Sequence, residues 1–211
     1  MVISKSDTIG RAKTLIEKEI LDMFKDADEL IKKELESLQD KKSIIPTCKK
    51  GCVYCCRQPI SISVPEAHAI GQYIKRNFDE KETTDLKTRI LEWLSWVKTE
   101  LSTHLQQGLN EAEALFSYGQ YCPLLKENEC SVYPVRPLLC RSYFVSSDVR
   151  SCLPPNNPNV INKEPSEISE IQIATKPCRE RVVAFVEMIG MEFNKTVMLL
   201  PQLLLSEIKR Q

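Results

Sequence analysis

The sequence predicts a mainly α fold: helices arranged around a central, two-part cysteine-rich metal site with short irregular or hairpin segments. Three observations carry that expectation. Long stretches repeat apolar residues at helical spacing, only six of 211 residues are glycine, and most of the nine cysteines fall in two short patches. Few glycines argue against an α/β enzyme built on glycine-rich phosphate turns. A chain of this length has enough residues for one domain with a sizeable core, and one domain over 1–211 is expected.

The first element is a helix over residues 7–39. Ile9, Ala12, Ile16, Ile20, Met23, Ala27, Leu30 and Leu38 recur near one face, and charged residues fill much of the rest. Residues 43–46 break it. A second helix opens at Ser63, with Glu66 three positions on and Pro65 in the first turn, which is the spelling of a capping box. Its apolar face is Ala67, Ile70, Ile74 and Phe78. A third helix, 83–105, carries Leu86, Ile90, Trp93, Leu94, Val97, Leu101 and Leu105, and Gly108 is expected to end it. A hairpin is expected over 124–133, with a polar turn at 126–129, then a helical turn over 134–141. Residues 151–165 read as a loop, and the chain from about Ser166 reads as helix.

Charge bounds the partners. Lys plus Arg and Asp plus Glu both number 29, so no basic excess points to nucleic acid or to an anionic membrane surface. The N-terminal MVISKSDTIGRAK holds no apolar run of signal-peptide length, and TVMLLPQLLL is about half a membrane span. The expectation is a cytoplasmic protein. Thiols stay reduced there, so nine cysteines favour metal or redox chemistry over a disulfide framework.

The first patch, CKKGCVYCC, places Cys48, Cys52, Cys55 and Cys56 within nine positions. Steps of three and four bring side chains together on a helix, and a tight loop does much the same. The second patch adds Cys122, Cys130 and Cys140, with Cys152 just beyond. Four thiolates satisfy one zinc ion or one iron–sulfur cluster. These eight candidate ligands exceed that, so metals share thiolates, a cluster has further ligands beside it, or some cysteines are not ligands. Thiolate sites carry negative charge, and Arg136 and Arg141 flank Cys140. They are the candidates to donate to thiolates or to a bound anion, with Tyr133 as a third donor.

Other residues read more simply. His68 and His104 sit singly on helices, Trp93 and Trp96 are packing residues, and Cys178 opens an apolar helical stretch as a buried thiol. CxxxCxxC is also the spelling of a radical-SAM cluster motif. That fold needs a strand before the motif and alternating strands after it, whereas a charged helix precedes Cys48.

The ordered pattern of Cys48, Cys52, Cys55 and Cys56, then Cys122-Pro123, Cys130, Tyr133, Arg136-Pro137 and Cys140-Arg141 resembles the YkgJ-type cysteine-cluster family over roughly residues 45–145. The resemblance implies a zinc- or iron-chelating domain. Flagellin lysine N-methylases resemble the same cluster, which implies a SAM-dependent alternative. Two readings therefore follow. One is a metal-binding protein holding zinc, iron or a 4Fe–4S cluster through the eight cysteines. The other is a cluster-dependent oxidoreductase or SAM-dependent protein N-methylase in which Arg136 or Arg141 binds an anionic group.

Overall fold

The computed structural model describes residues 5–117, 119–161 and 164–209, and their side chains except those of 5–11, 101, 111 and 112. Ile9 and Leu101 of the expected stripes, and residues 162 and 163 of the expected loop, fall outside that description. The fold is mainly α, with little sheet. Among the described residues no helix is long and apolar enough to cross a membrane.

Helix α1 runs from Lys5 to Lys42. Ile20, Met23, Ala27 and Leu38 are buried on its apolar face, joined by Phe24 and Ile31. Ala12 is exposed, so the buried stripe begins later than the periodicity suggests. Ser43 ends the helix with a left-handed φ of +54°. Helix α2 (Val64–Asn77) starts in the expected capping box: Ser63 accepts from the Glu66 N–H, and the Glu66 carboxylate accepts from the Ser63 N–H at 3.0 Å. Helix α3 (Glu80–Gln106) buries Leu86, Ile90 and Trp93, and leaves Leu105 exposed. Gly108 closes it with φ +89°. Its N–H bonds Leu105 and that of Leu109 bonds His104, a Schellman ending that satisfies two orphan carbonyls.

A short α4 (Glu111–Ser117) follows, then a hairpin of β2 (Leu125–Lys126) and β3 (Glu129–Cys130). Its two turn residues, Glu127 and Asn128, both have positive φ, the geometry of a tight two-residue turn. A 3-10 turn (Tyr133–Val135) and α5 (Leu138–Ser142) come next, then a second such turn at Val149–Cys152. The C-terminal part holds α6 (Ser169–Ala174), α7 (Lys176–Met188), α8 (Phe193–Thr196) and α9 (Leu200–Lys209).

Between α8 and α9 lies β4 (Val197–Leu199), which pairs antiparallel with β1 (Ser61–Ser63), Ile62 opposite Met198. The main core gathers residues of α1, α2, α3, α7 and α9, with Leu124, Val132, Val135 and Leu138 from the cysteine-rich region. A smaller cluster joins Ile31 and Leu38 of α1 to Ile168 and Ile171. Burial on this scale contributes about 1.5–3 kcal/mol per large side chain, so it is the main support of the helical frame.

Candidate metal centre

The first cysteine patch lies in a loop that ends in a 3-10 turn, not on a regular α-helix. The Cys52 N–H bonds the Lys49 carbonyl, and Gly51 takes a left-handed φ of +86°. Tyr54–Arg57 forms the 3-10 turn and carries Cys55 and Cys56. Residues 47–60 include no fully buried side chain. Hydrogen bonds hold the loop instead. Thr47 donates its N–H to Val145 and its hydroxyl to Ser147, at 2.9 and 2.6 Å. The Val145 N–H donates to Cys48 Sγ at 3.4 Å. The Cys122 N–H donates to the Cys56 carbonyl at 2.7 Å, and Gln58 donates to the Cys152 carbonyl at 3.3 Å. The two patches are thus joined by backbone, through residues distant in sequence.

Gly119 makes that docking sterically feasible. A Cβ there would lie 2.0 Å from the Arg57 carbonyl oxygen, so only glycine fits. On the other side, Cys140 is positioned by α5. The first N–H of that helix, Leu138, donates to Glu66 Oε1 at 3.1 Å. Glu66 therefore serves two helix starts, with one carboxylate oxygen on each. Neither role of Glu66 toward α5 nor the space at Gly119 has a signature in the local sequence.

Six cysteines from both patches line one cavity of about 100 Å³: Cys52, Cys55, Cys56, Cys122, Cys130 and Cys140. Tyr133, Arg136 and Trp93 complete part of its wall. Cys48 and Cys152 are outside the lining but near enough for the charges of Cys52 and Cys55 to act on both. Cys178 is 1% exposed within the main core, apart from the cavity. All nine cysteines are free thiols. Among the described residues, no three histidine, cysteine, aspartate or glutamate donors stand close enough to clasp a single metal ion. Six thiols share the wall of one cavity with apolar residues such as Ile60, Leu124 and Leu200.

Seven of the eight candidate thiols stay protonated unless a cation arrives: Cys48, Cys52, Cys55, Cys122, Cys130, Cys140 and Cys152. Burial pushes the Cys122 thiol up to about 12, and pushes Cys140 well above the ordinary thiol range, helped by Cys122, Cys55 and Cys130. Cys55 is raised first by its hydrogen bond with Cys56 and then by burial. Burial also raises Cys48, Cys52 and Cys130, and takes Cys152 to about 12. One group works in the opposite direction throughout: the Arg136 charge lowers Cys48, Cys55, Cys130 and Cys140.

The two flanking arginines differ. Arg136 stacks its guanidinium 4.3 Å over the Tyr133 ring, lines the cavity, and has a buried Nε with no hydrogen-bond partner. Arg141 is not a cavity residue. It donates to Asp28 at 2.6 Å and to the Arg136 and Pro134 carbonyls, and it lies over Phe24. His68 sits against Glu207 at 3.0 Å, away from the cysteines, and His104 faces Gln107 and Glu100.

The fold and the cavity together define a helical protein with a soft-donor, thiol-lined site, the class of site that suits zinc, copper(I) and iron–sulfur chemistry. The chain matches the family model CxxCxxCC, described as "Putative zinc- or iron-chelating domain", over residues 47–179, and it belongs to that family. Here the first step is Cys48 to Cys52, one residue longer than the family name spells. The match runs past the expected end near 145 to include Cys152 and Cys178. No curated protein and no solved structure matches the chain.

Proposed function

We propose that this metal-chelating domain holds a polynuclear group, an iron–sulfur cluster, in the cavity lined by Cys52, Cys55, Cys56, Cys122, Cys130 and Cys140. The observation that carries the reading is the arrangement of thiols around a space of about 100 Å³. Such a space admits several water-sized bodies, whereas a single ion draws four sulfurs to about 2.3 Å and leaves no room between them. The residues fit the group chemically. Iron–sulfur clusters take cysteine thiolates, and the buried, unpartnered Arg136 Nε–H is a donor placed at the wall for an anionic guest. When bound, the cluster supplies electron storage or structural cross-linking. Cys48 and Cys152 stand as outer thiols able to replace an inner one. Nine free thiols agree with a reducing compartment such as the cytoplasm.

Metal and acid-labile sulfide analysis of protein purified without oxygen, with a visible spectrum of the same sample, tests this. Iron and sulfide in near-equal amounts with visible absorbance are expected. Zinc without sulfide or colour would replace the cluster with a mononuclear thiolate site. Cys140→Ala should lose metal and Cys178→Ala should keep it. Full metal content in a variant with Cys122, Cys130 and Cys140 all changed to Ala would remove the second patch from the site.

A further inference from the structure

The turn Tyr54–Arg57 has two sides. Cys55 and Cys56 line the cysteine cavity, while Tyr54 and Arg57 line a separate surface cleft of about 490 Å³. Its other walls include Tyr121, Arg150, Asn157 and Val160. Among the described residues, no cysteine and no carboxylate lines it. The neighbouring cleft along α3 differs, being walled by Glu92 and Glu127. A volume of several hundred cubic ångströms suits a small organic molecule as well as a bare ion.

Arg57 is the central group. Its guanidinium lies 4.1 Å over the Tyr121 ring, which fixes its plane. Among the described residues its buried Nε has no hydrogen-bond partner and Arg57 forms no ion pair. A buried charged donor without an acceptor is unfavourable, and an incoming oxyanion removes the deficit. Arg150 is already served by a two-point contact with Asp148. Arg150 nevertheless faces the same cleft, so two guanidiniums, two phenols and the amides of Asn157 and Asn159 surround it.

We infer that this cleft is a binding site for a small molecule carrying a carboxylate or phosphate group. The oxyanion accepts from Arg57, with Arg150 supplying further positive charge, and the organic body lies against Tyr54 and Val160. Planar guanidinium donors match either oxyanion. The site uses no thiol and so stands apart from the metal reading.

The test is calorimetric titration of the full chain with inorganic phosphate and, separately, with malonate. At least one probe should bind in the millimolar range or tighter, more weakly as salt is added. Arg57→Gln should weaken binding by about tenfold or more. Arg150→Gln should weaken it several-fold, and so should Asn157→Asp, which puts a negative charge in the wall. Metal content, measured on each sample, should stay at the wild-type level in Arg150→Gln and Asn157→Asp. Which probe binds distinguishes phosphate from carboxylate ligands. Absence of binding by both probes, or binding unchanged in Arg150→Gln and Asn157→Asp, would overturn the inference even if Arg57→Gln does not fold.

Discussion

Arg136 and Arg141 lie five positions apart and have opposite stability profiles. Arg141 is buried and fully engaged, so Arg141→Ala removes an ion pair with Asp28 and orphans the carbonyls of Pro134 and Arg136. A loss of about 2–4 kcal/mol is expected, read as a lower urea midpoint. Arg136 has a buried Nε–H that no described residue accepts. In metal-free protein, Arg136→Gln gives up the stack on Tyr133 and should change stability by about 1 kcal/mol or less, while metal retention against a chelator falls. Equal losses in both variants would give the two arginines one structural role. The thiols add a pH dependence of definite sign. With Cys122 and Cys152 near 12 and Cys48, Cys52, Cys55, Cys130 and Cys140 raised, each of these thiols that becomes a ligand is protonated at neutral pH and must release a proton. Metal affinity should rise with pH over the whole range below those values and fall on acidification. Proton release in weakly buffered solution should number about one per ligand thiol. Metal uptake without proton release would exclude the thiols as ligands.

At the scale of elements, Glu66 ties the frame to the site. Its carboxylate caps α2 at Ser63 and holds the first N–H of α5, the helix that carries Cys140. Glu66→Ala should cost about 2–4 kcal/mol, one part from the lost cap and one from the orphaned Leu138 N–H, measured by urea unfolding. Gly119→Ala should act on the site more than on the frame. Its Cβ would meet the Arg57 carbonyl, pushing the 3-10 turn away from Cys122 and stretching the Cys122–Cys56 backbone bond. Lower metal content with the helical signal retained is the expected outcome. These contacts also mark what could be read in advance. The Ser63–Glu66 box, the Gly108 stop and the 124–133 hairpin are local patterns of capping and turn chemistry, and each is where the sequence indicates. The second partner of Glu66 lies 72 residues away, beyond any local signature. The β1–β4 pair was not legible either, because three-residue strands are too short to show alternation and their partners are far apart in the chain. Of the site, the cysteine constellation and the place of Arg136 were readable from spacing. The diversion of Arg141 to Asp28 was not, since the residue pair is set by how α1 packs on α5.

For the whole molecule, support is unevenly distributed. Helices α1, α2 and α9 share a core in which Ile20, Ile70 and Leu204 are fully buried. The stretch 119–140 enters the same core through Leu124, Val132, Val135 and Leu138. Residues 47–58 have no such anchor: no side chain there is fully buried, and a handful of hydrogen bonds hold the loop to Val145, Cys122 and Cys152. A bound metal group shared between this loop and the second patch would supply the missing cross-link, because ligation joins segments in the way that burial does elsewhere. Hydrogen exchange with and without metal separates these levels. On chelation, amides of 47–58 should lose protection first and most, those of 119–140 partly, and those of α1, α2 and α9 least, since local openings fall where few apolar contacts resist them. If protection instead falls equally in all three regions, the metal group and the helical core form one cooperative unit. If chelation changes nothing in 47–58, the first cysteine patch takes no part in holding the metal.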